Sequence, residues 1–251
     1  MIIGIIPARY GSTRFPGKPL ADIGGKSMIQ RVLEQAKQAK SLSKVVVATD
    51  DDRIAEAVRQ LGEEVIMTRT DHPSGTDRCW EAYEQLVAAE NTSVDTSTYI
   101  INIQGDEPFI DPAQIDELAA ILDGTVELAT QMASVDSAEM LHDPKEAKII
   151  LNARNEALYF SRAAIPYLMG IEPDQWHKHH TYRRHVGLYA YRADVLEAIT
   201  RLPPSPLEQA ESLEQLRWLE AGYHIQLVAT NYQTPTVDSP ADIEKILRDR
   251  L

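Results

Sequence analysis

Three fixed cations, Arg9, Arg14 and Lys18, fall within ten residues of one another in the stretch Pro7-Ala8-Arg9-Tyr10-Gly11-Ser12-Thr13-Arg14-Phe15-Pro16-Gly17-Lys18-Pro19. Gly11 and Gly17 permit the backbone turns that bring amides up to phosphate oxygens. The whole chain has a formal charge of -13, from 25 Lys+Arg against 38 Asp+Glu. Against that background the loop is a candidate pocket for an anion, and a triphosphate suits it. Five residues separate Gly11 from Gly17 and Pro19 follows Lys18, so the Walker A spacing is not met. No G-x-G-x-x-G follows the first apolar run either, which disfavours a dinucleotide dehydrogenase. A solvated surface loop is the alternative reading.

Two carboxylates are placed to hold a cation. Asp106 follows the apolar run Tyr99 to Ile103 in Gln104-Gly105-Asp106-Glu107-Pro108, at the carboxyl end of an expected central strand. Asp238 precedes the last expected helix in Thr236-Val237-Asp238-Ser239-Pro240. If both reach one cleft, they and phosphate oxygens form the hard donor set that Mg²⁺ takes, which would screen charge on a leaving pyrophosphate. A strand-ending turn for Asp106 and a solvated residue beside a cap for Asp238 are the alternatives.

The elements that must position these groups follow an α/β alternation. Ile2 to Pro7 and Lys44 to Thr49 read as buried strands, with Met28, Ile29, Val32, Leu33, Ala36 and Ala39 at helical spacing between them. A helix over 52–61, a strand over 64–67, a helix over 76–89 and the strand 99–103 continue the pattern. This predicts a mostly parallel central sheet with helices on both faces, and the loop after its first strand is a usual phosphate site. The second half is less regular: strands over 128–135, 147–151, 157–160 and 185–191, helices over 193–200 and 206–221, and a strand over 224–229. Ser239 as N-cap, Pro240 at the first helical position and Asp242 mark the closing helix. Residues 165–184 read as an excursion from the sheet. Trp176 and the histidines His177, His179 and His180 there fit no motif, and a solvated loop is expected in preference to a metal site.

The bulk numbers set the class. With 251 residues, 43% hydrophobic and 25% charged, one domain with a full core is expected, spanning 1–251. Cys79 is the single cysteine, which excludes an intrachain disulfide and a thiolate-rich metal site. The acidic balance argues against a broad nucleic-acid surface. The apolar opening is too short for a spanning helix or signal peptide, so a cytoplasmic protein without membrane attachment is expected.

Taken in order, the loop Ile6 to Leu20, Ser74-Gly75-Thr76-Asp77-Arg78, Asn102 to Pro108, Leu158-Tyr159-Phe160-Ser161-Arg162-Ala163, Arg184 to Arg192, Leu213-Glu214-Gln215-Leu216-Arg217 and Val237 to Asp242 closely resemble the 3-deoxy-manno-octulosonate cytidylyltransferases, or CMP-Kdo synthetases, of the sugar nucleotidyltransferase superfamily. The resemblance implies a Rossmann-like nucleotidyltransferase fold. It implies transfer of CMP from CTP to 3-deoxy-manno-octulosonate (Kdo) with Mg²⁺, releasing pyrophosphate, in lipopolysaccharide synthesis, and a homodimer. Carried over by residue, it implies that Pro7, Ala8, Arg9, Arg14, Lys18, Ser74, Gly75 and Asp106 hold the nucleotide, and that Asp106 and Asp238 bind the metal. Lys18, Arg14, Asp106 and Asp238 are then the catalytic set. Arg78, Gln104, Arg162, His185, Tyr189, Glu211 and Gln215 would meet the sugar acid, with about 157–192 as the sugar-acid and dimerisation excursion.

The residue types agree with this chemistry. In-line transfer at phosphorus needs positioning and charge stabilisation, which Arg, Lys and Mg²⁺ supply. Arg162 can grip a carboxylate bidentately, and Glu211 or Gln215 can bond hydroxyls. A structural ion pair for Arg162 and a structural role for His185 are the alternatives, and no general base stands out. Glu107 resembles the Kdo enzymes more than the 8-amino-Kdo branch, where Gln is expected. A cytidylyltransferase for another sugar acid, such as 8-amino-Kdo or a sialic acid, and a non-catalytic nucleotide-binding regulator are the competing functions.

Overall fold

Along β1 (Ile2–Ala8), Ile3 and Ile5 join one hydrophobic layer while Ile6 and Ala8 join another, so both faces of the strand are buried. β2 (Lys44–Thr49) divides likewise, with Val46 and Ala48 on one side and Val47 on the other. Strands covered on both faces read as unbroken apolar runs and pair in parallel. Accordingly β3 (Val65–Met67), β2, β1 and β4 (Tyr99–Asn102) lie parallel in that spatial order. The structure is a computed structural model that describes residues 1–11, 15–232 and 234–250.

The sheet continues as β4-β8-β5-β9, with β5 (Leu128–Ser134), β8 (Arg183–Arg192) and β9 (Ile225–Ala229). β8 runs antiparallel to both neighbours, and β5 and β9 are parallel to each other. Six of the seven strands on this path therefore point the same way. A short antiparallel pair, β6 (Lys148–Leu151) and β7 (Ala157–Ser161), attaches to the start of β8.

Helices cover both faces, as the sequence pattern predicts. α1 (Met28–Ala36), α2 (Asp52–Gln60) and α4 (Pro112–Ala119) pack on one. α3 (Gly75–Ala89), α7 (Ala193–Thr200) and α9 (Gln215–Glu220) pack on the other. Cys79 is buried within α3 as part of that second layer.

Four places differ from expectation. α4 and α5 (Ala138–His142) lie where the apolar spacing predicts no helix, although Asp111 followed by Pro112, and Ser137 accepting from the Met140 amide, are ordinary start signals. The helix expected over 206–221 is two: α8 (Pro206–Glu211) ends at Ser212 in a left-handed conformation (φ 51°), and α9 starts afresh. Within the excursion a short helix, α6 (Trp176–His179), stands in the expected loop, while His179 and His180 are solvent-exposed as expected. Trp176 is buried against Val135, Leu141 and Tyr182, and its indole N–H donates to the Ile171 carbonyl at 2.8 Å. The excursion itself lies between β7 and β8, both of which belong to the sheet. α10 (Pro240–Arg250) closes the chain. No helix among the described residues is long and apolar enough to cross a membrane.

Candidate active site

The parallel strands β1 and β4 end side by side, and their following segments build the floor of a cleft. A side chain at Gly105 would place a Cβ 2.8 Å from the Pro7 carbonyl oxygen, so only glycine allows this approach. The first loop then turns at Gly17, whose φ of 71° and contact with the Tyr10 ring exclude a side chain. The turn seats Lys18 at the start of a single 3-10 turn, Lys18–Leu20. From there the Lys18 ammonium donates to Asp106 Oδ2 at 2.8 Å and to the Val237 carbonyl at 2.9 Å. The Val237 amide donates to the Asp106 carbonyl at 3.0 Å. Asp242 fastens the following turn by accepting from the amides of Asp238 (3.0 Å) and Ser239 (2.7 Å) and from the Ser239 hydroxyl (2.9 Å). The helix-start signature at Ser239 and Pro240 thus places Asp238 beside the cleft.

The cleft has a volume of about 280 Å³ and is lined by Pro7, Ala8, Arg9, Lys18, Ser74, Gly75, Arg78, Gln104, Asp106 and Asp238, together with Pro19, His72, Pro73 and Gly105. Ten sequence-predicted residues, far apart in the chain, therefore share one surface. Arg14 lies outside the described residues. Ser74 caps α3, accepting from the Asp77 amide at 3.2 Å, so a fifteen-residue helix points its N-terminus at the cleft wall. Such an end favours negative charge.

Asp106 and Asp238 supply two carboxylates on this surface. Among the described residues no cluster of three or more His, Cys, Asp and Glu is arranged to hold a metal. Two carboxylates completed by phosphate oxygens fit Mg²⁺, which keeps few protein ligands, and do not fit a caged structural metal.

The residues expected at the sugar acid divide into three groups. Arg78 and Gln104 line the cleft just described. Arg78 is nearly buried, and its guanidinium donates to Thr68 Oγ1, to the Arg69 carbonyl at 3.2 Å and to Asp50 Oδ2 at 3.3 Å. Gln104 donates to the Gly187 carbonyl at 2.9 Å. That carbonyl belongs to an irregularity in β8, where pairing with β5 jumps from Tyr189 to Val186. Bulges of this kind re-aim side chains beside functional sites.

His185, Tyr189 and Gln215 form the second group, on either side of the bulge and on α9. The His185 and Tyr189 rings are 5.1 Å apart, and Tyr189 packs edge-on to Trp218 at 5.3 Å. Burial, with Arg184 nearby, lowers the His185 pKa to about 4, so the ring is neutral. Its Nε2 lies 3.1 Å from the Thr130 hydroxyl, which is also 2.9 Å from the Leu188 carbonyl. One hydroxyl proton serves the carbonyl, and the Nε2–H then donates to Thr130. The Tyr189 hydroxyl, Gln215 Nε2 and Asn102 Oδ1 are buried and have no hydrogen-bond partner among the described residues. Buried polar groups in that state point to a ligand that is not protein.

Arg162 and Glu211 form the third group, and neither lines the cleft. The Arg162 guanidinium donates to the carbonyls of Glu211 (2.6 Å), Pro144 (2.8 Å) and Ser212 (3.1 Å). The Glu211 carboxylate accepts from the Ser161 hydroxyl at 2.6 Å and the Arg162 amide at 2.9 Å. This clamp joins the end of β7 to the end of α8.

Beyond Ser212 it is Glu214 that turns inward, accepting from Thr76 Oγ1 at 2.8 Å on the first turn of α3. Burial raises its pKa. Sequence reasoning missed Glu214, although it stands beside Gln215, because the break at Ser212 decides which glutamate faces the site. His72 and Glu107 were also missed as lining residues. His72 bonds Glu81. Glu107 faces a second cleft of about 720 Å³ shared with Arg184, His185 and Lys245, and its carboxyl is pushed up to about 8 by burial and by Asp106.

A family model described as Cytidylyltransferase matches residues 3–227. The 3-deoxy-manno-octulosonate cytidylyltransferase of Cytophaga hutchinsonii is 51% identical over 98% of this chain and 96% of its own length. The chain belongs to the 3-deoxy-manno-octulosonate cytidylyltransferase family. The corresponding protein of Parabacteroides distasonis is 52% identical over the same shares. A solved structure of CMP:2-keto-3-deoxy-manno-octonic acid synthetase complexed with CTP superimposes with a TM-score of 0.87 at 43% identity, covering 98% of this chain and 97% of that one. A cytidylyltransferase from Leptospira borgpetersenii, 18% identical with a TM-score of 0.59 over 98% of this chain and 84% of its own, shares the fold. Family membership accounts for the ordered motifs in the sequence and for the nucleotidyltransferase architecture of the sheet.

Proposed function

We propose that this chain transfers CMP from CTP to the anomeric hydroxyl of Kdo, giving CMP-Kdo and pyrophosphate. The observation that carries the reading is the single cleft in which Arg9, Lys18, Asp106, Asp238 and the N-terminus of α3 meet. It combines cations for a triphosphate with carboxylates for a divalent metal.

In this reading the sugar hydroxyl attacks the α-phosphorus in line. A new O–P bond forms, the hydroxyl proton passes to water, the bond between the α- and β-phosphates breaks, and pyrophosphate leaves with the electron pair. Arg9 and Lys18 hold the triphosphate, with Arg14 as a third cation of the same loop. Lys18 neutralises charge as the leaving group departs. Asp106 and Asp238 hold Mg²⁺, which when bound supplies charge screening at the phosphates. Pro7, Ala8, Ser74 and Gly75 seat the nucleoside.

Tyr189, Gln215 and the neutral His185 receive the sugar acid, supported by the two orphaned polar atoms among them. Arg78 and Gln104 border both substrates from the shared cleft. His185 is held neutral by burial and bonded to Thr130, so it acts by position and not as a base. A sugar-acid contact from Arg162 or Glu211 requires their mutual clamp to open.

We further propose that the enzyme works in the cytoplasm as a homodimer within lipopolysaccharide synthesis. Tyr167 and Met169, large apolar side chains exposed on the excursion, support a contact there. Pyrophosphate release from a panel of nucleoside triphosphates against Kdo, 8-amino-Kdo and a sialic acid, with and without Mg²⁺, tests the reading. CTP with Kdo and Mg²⁺ is the pair expected to turn over. A preference for another sugar acid, or no turnover with any pair, would overturn it.

A further inference from the structure

The loop from Thr68 to Ser74, between β3 and α3, forms one wall of the nucleotide cleft through His72, Pro73 and Ser74. Ordering an irregular loop costs on the order of 1 kcal/mol or more per residue, so a preformed wall needs ties that offset this. The ties come from one face of α3, at positions 78, 81 and 85, which follow helical spacing. Arg78 donates to Thr68 Oγ1 and the Arg69 carbonyl. Glu81 accepts from the Arg69 amide at 3.0 Å and bonds His72 Nε2. Gln85 donates to the Met67 carbonyl at 2.8 Å and to the other oxygen of Glu81 at 3.1 Å. Apart from Asp77, which bonds the cap residue Ser74, only the Glu81 tie reaches a residue that itself lines the cleft.

The wall faces a particular half of the ligand. Lys18, Asp106 and Val237 are bonded together on the triphosphate side. The wall of His72, Pro73, Ser74 and Gly75 carries no lysine, and the guanidinium of neighbouring Arg78 is turned into Thr68, Arg69 and Asp50. With no fixed cation directed from it at phosphate, this wall is left to the nucleoside.

We infer that Glu81 and His72 are positioning residues for the nucleoside of CTP: Glu81 fixes the His72 ring, and the ring fixes the Pro73-Ser74-Gly75 turn at the start of α3. The inference rests on the reading of this cleft as the CTP site. The His72 side chain is only 4% exposed and that of Glu81 18%, so the pair acts from behind the wall and not as a broad contact surface.

Titration calorimetry of the full chain with CTP and, separately, with inorganic tripolyphosphate tests it, alongside steady-state kinetics and thermal unfolding. His72→Ala and Glu81→Ala are expected to raise the Kd and KM for CTP about tenfold, equivalent to about 1.4 kcal/mol. Tripolyphosphate binding, the KM for Kdo and kcat should stay within about twofold. His72→Gln, which keeps an N–H for Glu81, is expected to recover most of the CTP affinity. CTP and tripolyphosphate weakening together, an unchanged KM for CTP, or His72→Gln no better than His72→Ala would each overturn the inference. Should Glu81→Ala fail to fold, the His72→Gln and His72→Ala pair still decides it. A wild-type protein that binds tripolyphosphate but not CTP would instead overturn the nucleotide assignment itself, and the inference with it.

Discussion

The Lys18 ammonium sits 2.8 Å from Asp106 Oδ2 while also donating to the backbone at Val237, so one side chain ties the first loop to the end of β4 and to the strap before α10. These three segments carry the charged groups named for the transfer step: Arg9, Arg14 and Lys18 on the first loop, Asp106 after β4 and Asp238 in the strap. A charge that must neutralise a leaving group is most effective when its place is set before the reaction begins.

Lys18→Met should therefore lower kcat by about 10²- to 10³-fold, the usual effect of removing one preorganised group that stabilises developing charge. Asp106→Asn should do at least as much, because it removes both a metal ligand and the partner that orients Lys18. Pyrophosphate release at saturating CTP and Kdo measures both. Undiminished turnover of Asp106→Asn would sink the proposed metal pair.

Asp238 gives a prediction with a different readout. Asp238→Asn should raise the Mg²⁺ concentration needed for half-maximal rate by about tenfold or more, since a site with one or two protein carboxylates has little else to hold the ion. Chelation of Mg²⁺ should abolish turnover of the wild type. A Mg²⁺ dependence unchanged in Asp238→Asn would remove that residue from the site.

Tyr189 separates stability from function. Its hydroxyl is buried without a partner among the described residues, so Tyr189→Phe removes a group that contributes nothing to holding the fold. Unfolding stability should be unchanged or rise by about 1 kcal/mol, while the KM for the sugar acid rises. Arg162→Ala should do the reverse, losing about 1–3 kcal/mol as the carbonyls of Pro144, Glu211 and Ser212 lose a shared donor. Denaturant unfolding beside steady-state kinetics distinguishes the two. A raised KM with full stability in Arg162→Ala would restore that residue to the sugar-acid site.

The sequence carried the sheet and the nucleotide cleft because both depend on local signals. Apolar runs such as 44–49 and 99–103 are continuous since both faces are buried, and the groups that follow them must emerge at strand ends. The sugar-acid side was less legible. Which of Glu211 and Glu214 faces inward depends on a left-handed turn at Ser212, a serine whose type does not announce that conformation. Arg162 shows its charge in the sequence but not the three carbonyls that occupy it. His72 and Glu81 meet across a loop-to-helix contact that no spacing rule marks, and the bulge at Gly187 arises from pairing with β5, far away in the chain.

Two groups that line the second cleft give the fold an unusual pH response. Glu107 has a pKa raised to about 8 by burial and Asp106, so its stability contribution is complete below about pH 4.5 and is lost as pH rises through about 8. His185 has a pKa lowered to about 4, so its contribution is complete above about pH 6.5 and is lost as pH falls toward about 4. Between about pH 4.5 and 6.5 the two slopes oppose each other, and between about 6.5 and 8 only that of Glu107 remains. Wild-type stability should accordingly change little over the acid interval and then fall by roughly 1–2 kcal/mol toward pH 8. In Glu107→Gln the upper slope should vanish, and the acid destabilisation from His185 should stand exposed. Urea unfolding from pH 5 to 9 measures both, and parallel curves for wild type and Glu107→Gln between pH 6.5 and 8 would show that Glu107 titrates with an ordinary pKa.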